Sequence, residues 1–192
     1  MELDNCIKSR RSVRAFADKP IPKEKIEAIL EAAVWAPSAT NVQPWRFIII
    51  EDESVIKLVS DKTKEFFNES PEGQKRYGSF FQTDADVVCY NAPVLVLICT
   101  EVADPIRSRL NLLDSVLAAQ NMFLKAYELE LGTCYMGFID IMNQKNPDVL
   151  KAAGVPSGYE VQVPLILGQP RVKFGSGKRN PPNILNWIKS QA

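Results

Sequence analysis

The sequence predicts an α+β or irregular α/β domain, and three observations carry that reading. Some segments repeat apolar residues at helical spacing, and others are apolar runs of strand length. The two kinds interleave without the strict strand–helix repeat of a doubly wound fold. The 192 residues, 46% hydrophobic and 24% charged, suit a single domain over 1–192 with a real core.

Residues 3–11 predict a short helix with Leu3, Cys6 and Ile7 on one side. The segment 22–36 predicts a helix with Pro22 in its first turn. Ile26, Ile29, Leu30, Ala33 and Val34 give it an apolar face, and Pro37 stops it. Trp45 to Ile50 reads as a buried strand, and 53–67 as a helix. A polar stretch with Pro71, Gly73 and Gly78 predicts a loop or lid over roughly 68–90. Its Tyr77, Phe80, Phe81 and Tyr90 either fill core or sandwich a flat molecule.

Pro93 to Cys99 reads as a central strand. The longest helix spans roughly 107–131, with Leu110, Leu113, Leu117, Leu124 and Leu131 along one side. Val116, Ala119, Phe123 and Tyr127 widen that stripe, so the helix is expected to be buried in the core or against a second subunit. Gly132 is expected to end it. Thr133 to Ile139 reads as a strand, Asn146 and Pro147 open a short helix closed by Gly154, and Val161 to Leu167 is the last strand. A basic tail over 173–179 and a short amphipathic end over 182–190 follow.

Composition excludes several functions. The 23 basic residues match the 23 acidic ones, which argues against nucleic acid as a partner. No apolar run is long enough for a membrane span. There is no histidine, so a Ser-His-Asp triad and every histidine metal site are ruled out. Cys6, Cys89, Cys99 and Cys134 are scattered, and the polar start Met1-Glu2-Leu3-Asp4 resembles no signal peptide. A reducing, cytoplasmic setting is the expectation.

Four segments are candidates for chemistry. Arg10-Arg11-Ser12-Val13-Arg14 packs three guanidiniums and a hydroxyl into five residues, which is either a phosphate cradle or a solvated basic face. Residues 36–45 join a helix to a strand through small, amide and hydroxyl side chains, suited to a flat ligand or to an ordinary capped turn. Gly132-Thr133-Cys134-Tyr135-Met136-Gly137 allows close backbone approach, and its cysteine reads as inert without a histidine base. Gly177-Lys178-Arg179 is not a P-loop, since position 172 is valine and arginine follows the lysine. Lys178 and Arg179 are a second phosphate clamp or a loose basic tail.

In this order the segments resemble the FMN-dependent nitroreductase family. The resemblance starts at Ile7-Lys8-Ser9-Arg10-Arg11-Ser12-Val13-Arg14-Ala15-Phe16 and continues through residues 32–45. It takes in residues 131–137, Val163 to Pro170 and Lys178-Arg179-Asn180-Pro181-Pro182. It implies a nitroreductase-like α+β fold: a central mixed or antiparallel sheet flanked by helices, with a long buried helix at a dimer interface. It also implies a homodimer with FMN at the subunit interface. Arg10, Ser12 and Arg14 would hold the FMN phosphate and ribityl chain, with Arg11 nearby. Pro37, Ser38 and Ala39 of the other subunit would lie on the flavin ring, beside Asn41 and Gln43. Met136 and Gly137 would present backbone N–H groups to its reactive edge, and Arg179, with Lys178, would complete the phosphate site.

The implied activity is hydride transfer from NADH or NADPH to flavin N5, then reduction of a nitroaromatic, quinone or enone acceptor in a second half-reaction. A specialised flavin enzyme on the same site (dehalogenase, flavin-fragmenting or dehydrogenase) and a non-catalytic FMN-binding protein are the alternatives. The absence of histidine agrees with a cofactor that brings its own reactivity.

Overall fold

A computed structural model describes residues 2–172 and 177–188. Among them are seven α-helices and four strands: α1 (Leu3–Ser9), α2 (Lys23–Val34), β1 (Arg46–Ile50), α3 (Glu53–Glu69), α4 (Pro71–Tyr77), β2 (Val94–Glu101), α5 (Pro105–Glu128), β3 (Gly132–Tyr135), α6 (Gly137–Lys145), α7 (Asp148–Ala152) and β4 (Tyr159–Gly168). The strands form one sheet in the order β1-β2-β4-β3, and every pairing is antiparallel. Helices flank it on both faces. The fold is α+β, an antiparallel sheet flanked by helices, as expected.

β2 shows why the sheet is central. Val94 through Thr100 are all at most 1% exposed. Alternate side chains point to opposite faces of a strand. Leu95, Leu97 and Cys99 join Ile56, Val59, Phe67, Ile139 and Met142 of α3 and α6. Val94, Val96 and Ile98 join Ile26, Ile29, Ala33, Ala118, Ala119 and Met122 of α2 and α5. Each fully buried Val, Leu or Ile contributes about 1.5–3 kcal/mol, so the continuous apolar run of β2 ties the two cores together.

Local chemistry sets the helix ends. Asp104 caps α5 by accepting from the N–H groups of Ile106 (3.0 Å) and Arg107 (3.2 Å), with Pro105 in the first turn. At the other end Glu130 adopts φ 62°, Leu131 N–H donates to Ala126 O and Glu130 N–H to Tyr127 O. That paired pattern closes the helix before Gly132, earlier than its sequence predicts.

Two expectations change, and two are refined. The segment expected as a loop or lid over 68–90 is helical as far as Tyr77, with α3 running to Glu69 and Ser70 capping α4; from Gly78 to Tyr90 it consists of turns and bends, with Phe81 2% exposed. Phe67, Tyr77, Phe81 and Phe138 pack with ring centroids 4.8–5.6 Å apart, so these aromatics fill core. The strand expected through Ile139 stops at Tyr135, and α6 begins at Gly137. α5 is not buried all round. It buries Asn111, Asp114, Ser115, Ala118, Ala119, Met122 and Ala126, and leaves Leu110, Leu113, Val116 and Leu117 at 36–51% exposure. Residues 182–188 form no helix and expose Ile184, Leu185, Trp187 and Ile188; the remainder of that expected end, and 173–176 of the basic tail, lie outside the described residues. Among the described residues, no helix is long and apolar enough to cross a membrane.

Candidate functional site

The basic cluster lies where α1 ends and the chain runs onto the sheet. Arg10 is the C-cap of α1, and Val13 N–H donates to Thr133 O at 2.9 Å, pairing Ser12 with Thr133 at the start of β3. This laces segment 10–14 alongside β3. The Arg10 guanidinium rests over the Phe123 ring of α5, 5.5 Å from its centroid. Arg11 turns back, its NH1 donating to Lys8 O at 2.8 Å.

The two ends of the chain meet here. Gly177 lies against Arg11: a Cβ at 177 would fall 2.6 Å from Arg11 Nε, so a larger residue would make the guanidinium shift. Arg179 follows two residues on. Burial, then the neighbouring charges of Arg179 and Arg11, push the Arg10 guanidinium below its ordinary value. Burial pushes the Cys134 thiol up, against the opposing influence of Arg14, Ser12 and Arg10, so Cys134 stays an inert neutral neighbour. Arg14 also acts on the Tyr90 hydroxyl. Among the described residues, no carboxylate lies within ion-pair distance of Arg10, Arg11, Arg14 or Arg179. Two buried polar atoms at this place, Arg11 Nε and Thr133 Oγ1, have no hydrogen-bond partner. Like charges gathered beside orphaned polar atoms favour an anion placed among them.

The loop after α2 is a second, separate feature. Thr40, Asn41 and Gln43 sit at φ 53°, 56° and 51°. Non-glycine residues hold such angles only when their surroundings over-determine them. Here Ala39 N–H donates to both oxygens of buried Asp114 (3.1 and 3.3 Å), and Gln43 N–H donates to Ser38 Oγ at 2.9 Å. Gln43 Nε2 donates to Asn41 Oδ1. Pro37, Asn41 and Gln43 are exposed, and Ser38 and Ala39 are half-buried. Within one chain this loop does not reach the cradle. Their anchors on α5, Asp114 and Phe123, are nine residues apart, about 14 Å at 1.5 Å per residue.

The third feature is the start of α6. Met136 N–H donates to Pro164 O at 2.9 Å, so it is not available to a ligand, contrary to expectation. Gly137, first residue of α6, has no carbonyl within its helix to donate to. Lys178 and Arg179 are exposed, and Arg179 NH1 donates to Lys178 O. Sequence reasoning missed the roles of Asp114 and Phe123, since each acts through a partner far away in the chain. A cleft of about 750 Å³ between Lys19, Glu53, Lys57, Asp86 and Arg171 contains none of the expected site residues.

The α+β domain thus brings together a cluster of arginines, a loop with positive-φ residues and the start of α6. Residues 7–169 match the model of the nitroreductase family. The chain belongs to the nitroreductase family, and with it to the oxidoreductases. It is 30% identical over 176 residues to an Archaeoglobus fulgidus protein provisionally named NADH dehydrogenase/NAD(P)H nitroreductase, covering 88% of this chain and 87% of that one. It is 32% identical over 173 residues to the iodotyrosine deiodinase of Thermotoga neapolitana, covering 85% and 86%. Its fold resembles a Bacteroides fragilis nitroreductase with bound FMN at a TM-score of 0.79 and 28% identity, over 97% of this chain and all of the other.

Proposed function

We propose that the chain is one protomer of an FMN-dependent NAD(P)H oxidoreductase that reduces flat acceptors such as nitroaromatics, quinones or enones. The observation that carries this is the convergence of Arg10, Arg14 and Arg179 with no carboxylate of the described residues within ion-pair distance. A phosphate monoester dianion answers that excess, and guanidiniums bind phosphate through paired hydrogen bonds. The orphaned Arg11 Nε and Thr133 Oγ1 fit a polar group seated among them.

The residues divide the work. Arg10, Arg14 and Arg179, with Ser12 and Lys178, hold the phosphate and the chain attached to it. Phe123 stacks on Arg10 and fixes its plane. Gly137 offers a backbone N–H, reinforced by the positive end of α6, toward negative charge on the ring. Pro37, Ser38 and Ala39, braced by Asp114, lie against the ring from a second protomer. That assignment to a second protomer is what the family resemblance implies. Leu110, Leu113, Val116 and Leu117 of α5 then form the homodimer contact, since an apolar helix face of this kind calls for a partner surface. When bound, FMN supplies the hydride-accepting and electron-passing chemistry. The donor and the acceptor use the same open face in turn, and protons come from water. The four free, buried cysteines fit work in the reducing cytoplasm.

A second reading, reductive dehalogenation of a flat phenol, is favoured by the 32% identity to the Thermotoga neapolitana deiodinase. Fluorescence titration with FMN tests the shared basis: the protein binds FMN, and Arg14→Ala weakens binding while the fold persists. A wild-type protein that takes up no FMN refutes both readings. Turnover with NADH, NADPH, a nitroarene, a quinone and a halotyrosine separates them.

A further inference from the structure

Two aromatic side chains stay half-exposed beside the start of α6, and the functions above leave both unused. Tyr135 ends β3 and is 43% exposed. Its hydroxyl donates to Asp140 Oδ2 at 2.6 Å, and Asp140 sits in the first turn of α6. The ring therefore lies against Gly137: a Cβ there would fall 3.4 Å from Tyr135 Cε1 and 3.9 Å from Cδ1. Burial, then the bond to Asp140, push the phenol up, so the ring is uncharged at neutral pH.

The second is Phe80, 45% exposed in the turn after α4. Tyr77 and Phe81 of the same stretch fill core, whereas Phe80 rests on top of it. Its ring packs edge-on against Phe81 with centroids 4.9 Å apart, and tilted on Phe138 at 5.9 Å. Its N–H donates to Tyr77 O at 3.0 Å. Phe138 is the residue after Gly137. On a helix turning about 100° per residue, Phe138 lies about 100° to one side of Gly137 and Asp140 about 60° to the other. The two anchored rings thus stand on opposite flanks of Gly137, whose N–H has no acceptor within its helix.

Apolar residues scattered singly over a surface need no explanation. These two are held in place and paired about one backbone donor, which makes a preformed slot with two apolar walls. Such a slot fits a flat aromatic molecule, because rings gain from stacked or edge-on contact with other rings.

We infer that Tyr135 and Phe80 are specificity-determining residues that wall the place of a flat acceptor, and that Asp140 is the positioning residue that fixes Tyr135. The inference rests on the proposed FMN reading, in which Gly137 faces the flavin ring. It names the side chains that select for flatness.

Oxidised, FMN-loaded protein without a nicotinamide donor binds acceptors and does not turn them over, and the flavin spectrum reports occupancy. Nitrobenzene and nitrocyclohexane carry the same nitro group on a flat and on a puckered ring. The wild-type protein should prefer nitrobenzene. Tyr135→Leu and Phe80→Leu keep apolar bulk and remove the flat face. Each should weaken nitrobenzene about 2- to 10-fold, the worth of one aromatic contact, and leave the affinities for nitrocyclohexane and FMN unchanged. Asp140→Ala should weaken nitrobenzene selectively as well, and Asp140→Asn, which keeps an accepting oxygen, should restore it. A merely structural role would lower the affinities for FMN and for both nitro compounds together. No preference in the wild type, an unchanged nitrobenzene affinity in Tyr135→Leu or Phe80→Leu, or equal losses of both nitro compounds overturns the inference and leaves FMN binding standing. A wild-type protein that takes up no FMN overturns the flavin reading, and the slot with it.

Discussion

Alanine at Gly168 probes how the cradle segment is seated on the sheet. Gly168 ends β4, is buried, and faces the aromatic ring that closes segment 10–16. A Cβ there would fall 2.5 Å from Phe16 Cδ1, 3.0 Å from Phe16 Cγ and 2.8 Å from Pro93 Cδ. Carbon atoms rest at about 3.5–4.0 Å, so the shortfall is about 1 Å on two sides. Pro93 Cδ is fixed in its ring and cannot swing away. Phe16 is 6% exposed and has nowhere to turn without leaving the core. Overpacking of this kind costs about 1–3 kcal/mol. For a domain of this size each kcal/mol lowers Tm by about 2–4 °C, so Gly168→Ala should melt roughly 2–12 °C below wild type. Thermal and urea unfolding followed by circular dichroism measure this, with an unchanged urea m-value marking a pure stability effect. Phe16→Leu should relieve part of the clash, so the double variant should lose less than the sum of the singles. A Gly168→Ala protein melting within about 1 °C of wild type would refute the reasoning, since no 1–3 kcal/mol overpacking term would then exist.

Removing the α5 cap with Asp104→Ala should cost about 1 kcal/mol in urea unfolding; a change below a few tenths would contradict the two hydrogen bonds it makes. The Asp52 carboxyl is held below its ordinary value by the Ser54 hydroxyl and then by the N–H groups of Val55 and Ser54. A lowered folded pKa means the cap contributes fully above the unfolded carboxylate value and is lost as pH falls through the folded one. Asp52→Asn should therefore show a shallower acid loss of stability than wild type, and superimposable acid curves would count against the cap. Burial pushes the Cys99 thiol up to about 12 and the Cys89 and Cys134 thiols in the same direction. Ellman's reagent at pH 8 should label the native protein slowly and the urea-unfolded protein at all four cysteines. Leu113→Glu with Leu117→Glu on the apolar face of α5 should yield a monomer by light scattering; a dimer that persists would move the interface elsewhere.

The elements legible in the sequence are those whose burial is periodic. α2, α3 and the body of α5 carry apolar residues at helical spacing, and β1, β2 and β4 are dense in β-branched residues. Failures cluster where one residue has two meanings. Pro71 reads as a breaker, yet it occupies the first turn of α4, where a missing N–H costs nothing. Phe138 and Ile139 continue the apolar run of β3, and only the tertiary course turns them into helix. Glu130 ends α5 in a left-handed conformation that carries no compositional mark. The Arg10 to Arg14 part of the site is legible because its residues are neighbours in the chain. The roles of Asp114 and Phe123 are not, because each meets its partner across dozens of residues. Met136 was misjudged for the same reason: its N–H goes to Pro164, a pairing that exists only once β4 is in place.

The strand order β1-β2-β4-β3 has a consequence for synthesis. β2 is apolar on both faces and lies between β1 and β4, so one long edge of it stays open until residues 159–168 have been made. A chain emerging from the ribosome therefore carries a sticky, half-paired β1–β2 ladder through the whole translation of α5, α6 and α7. Unpaired edges of this kind recruit other strands, and pairings this distant in sequence close slowly. Truncations that stop before β4 should aggregate rather than yield a smaller soluble domain. Nascent chains stalled there should be the ones that chaperones hold.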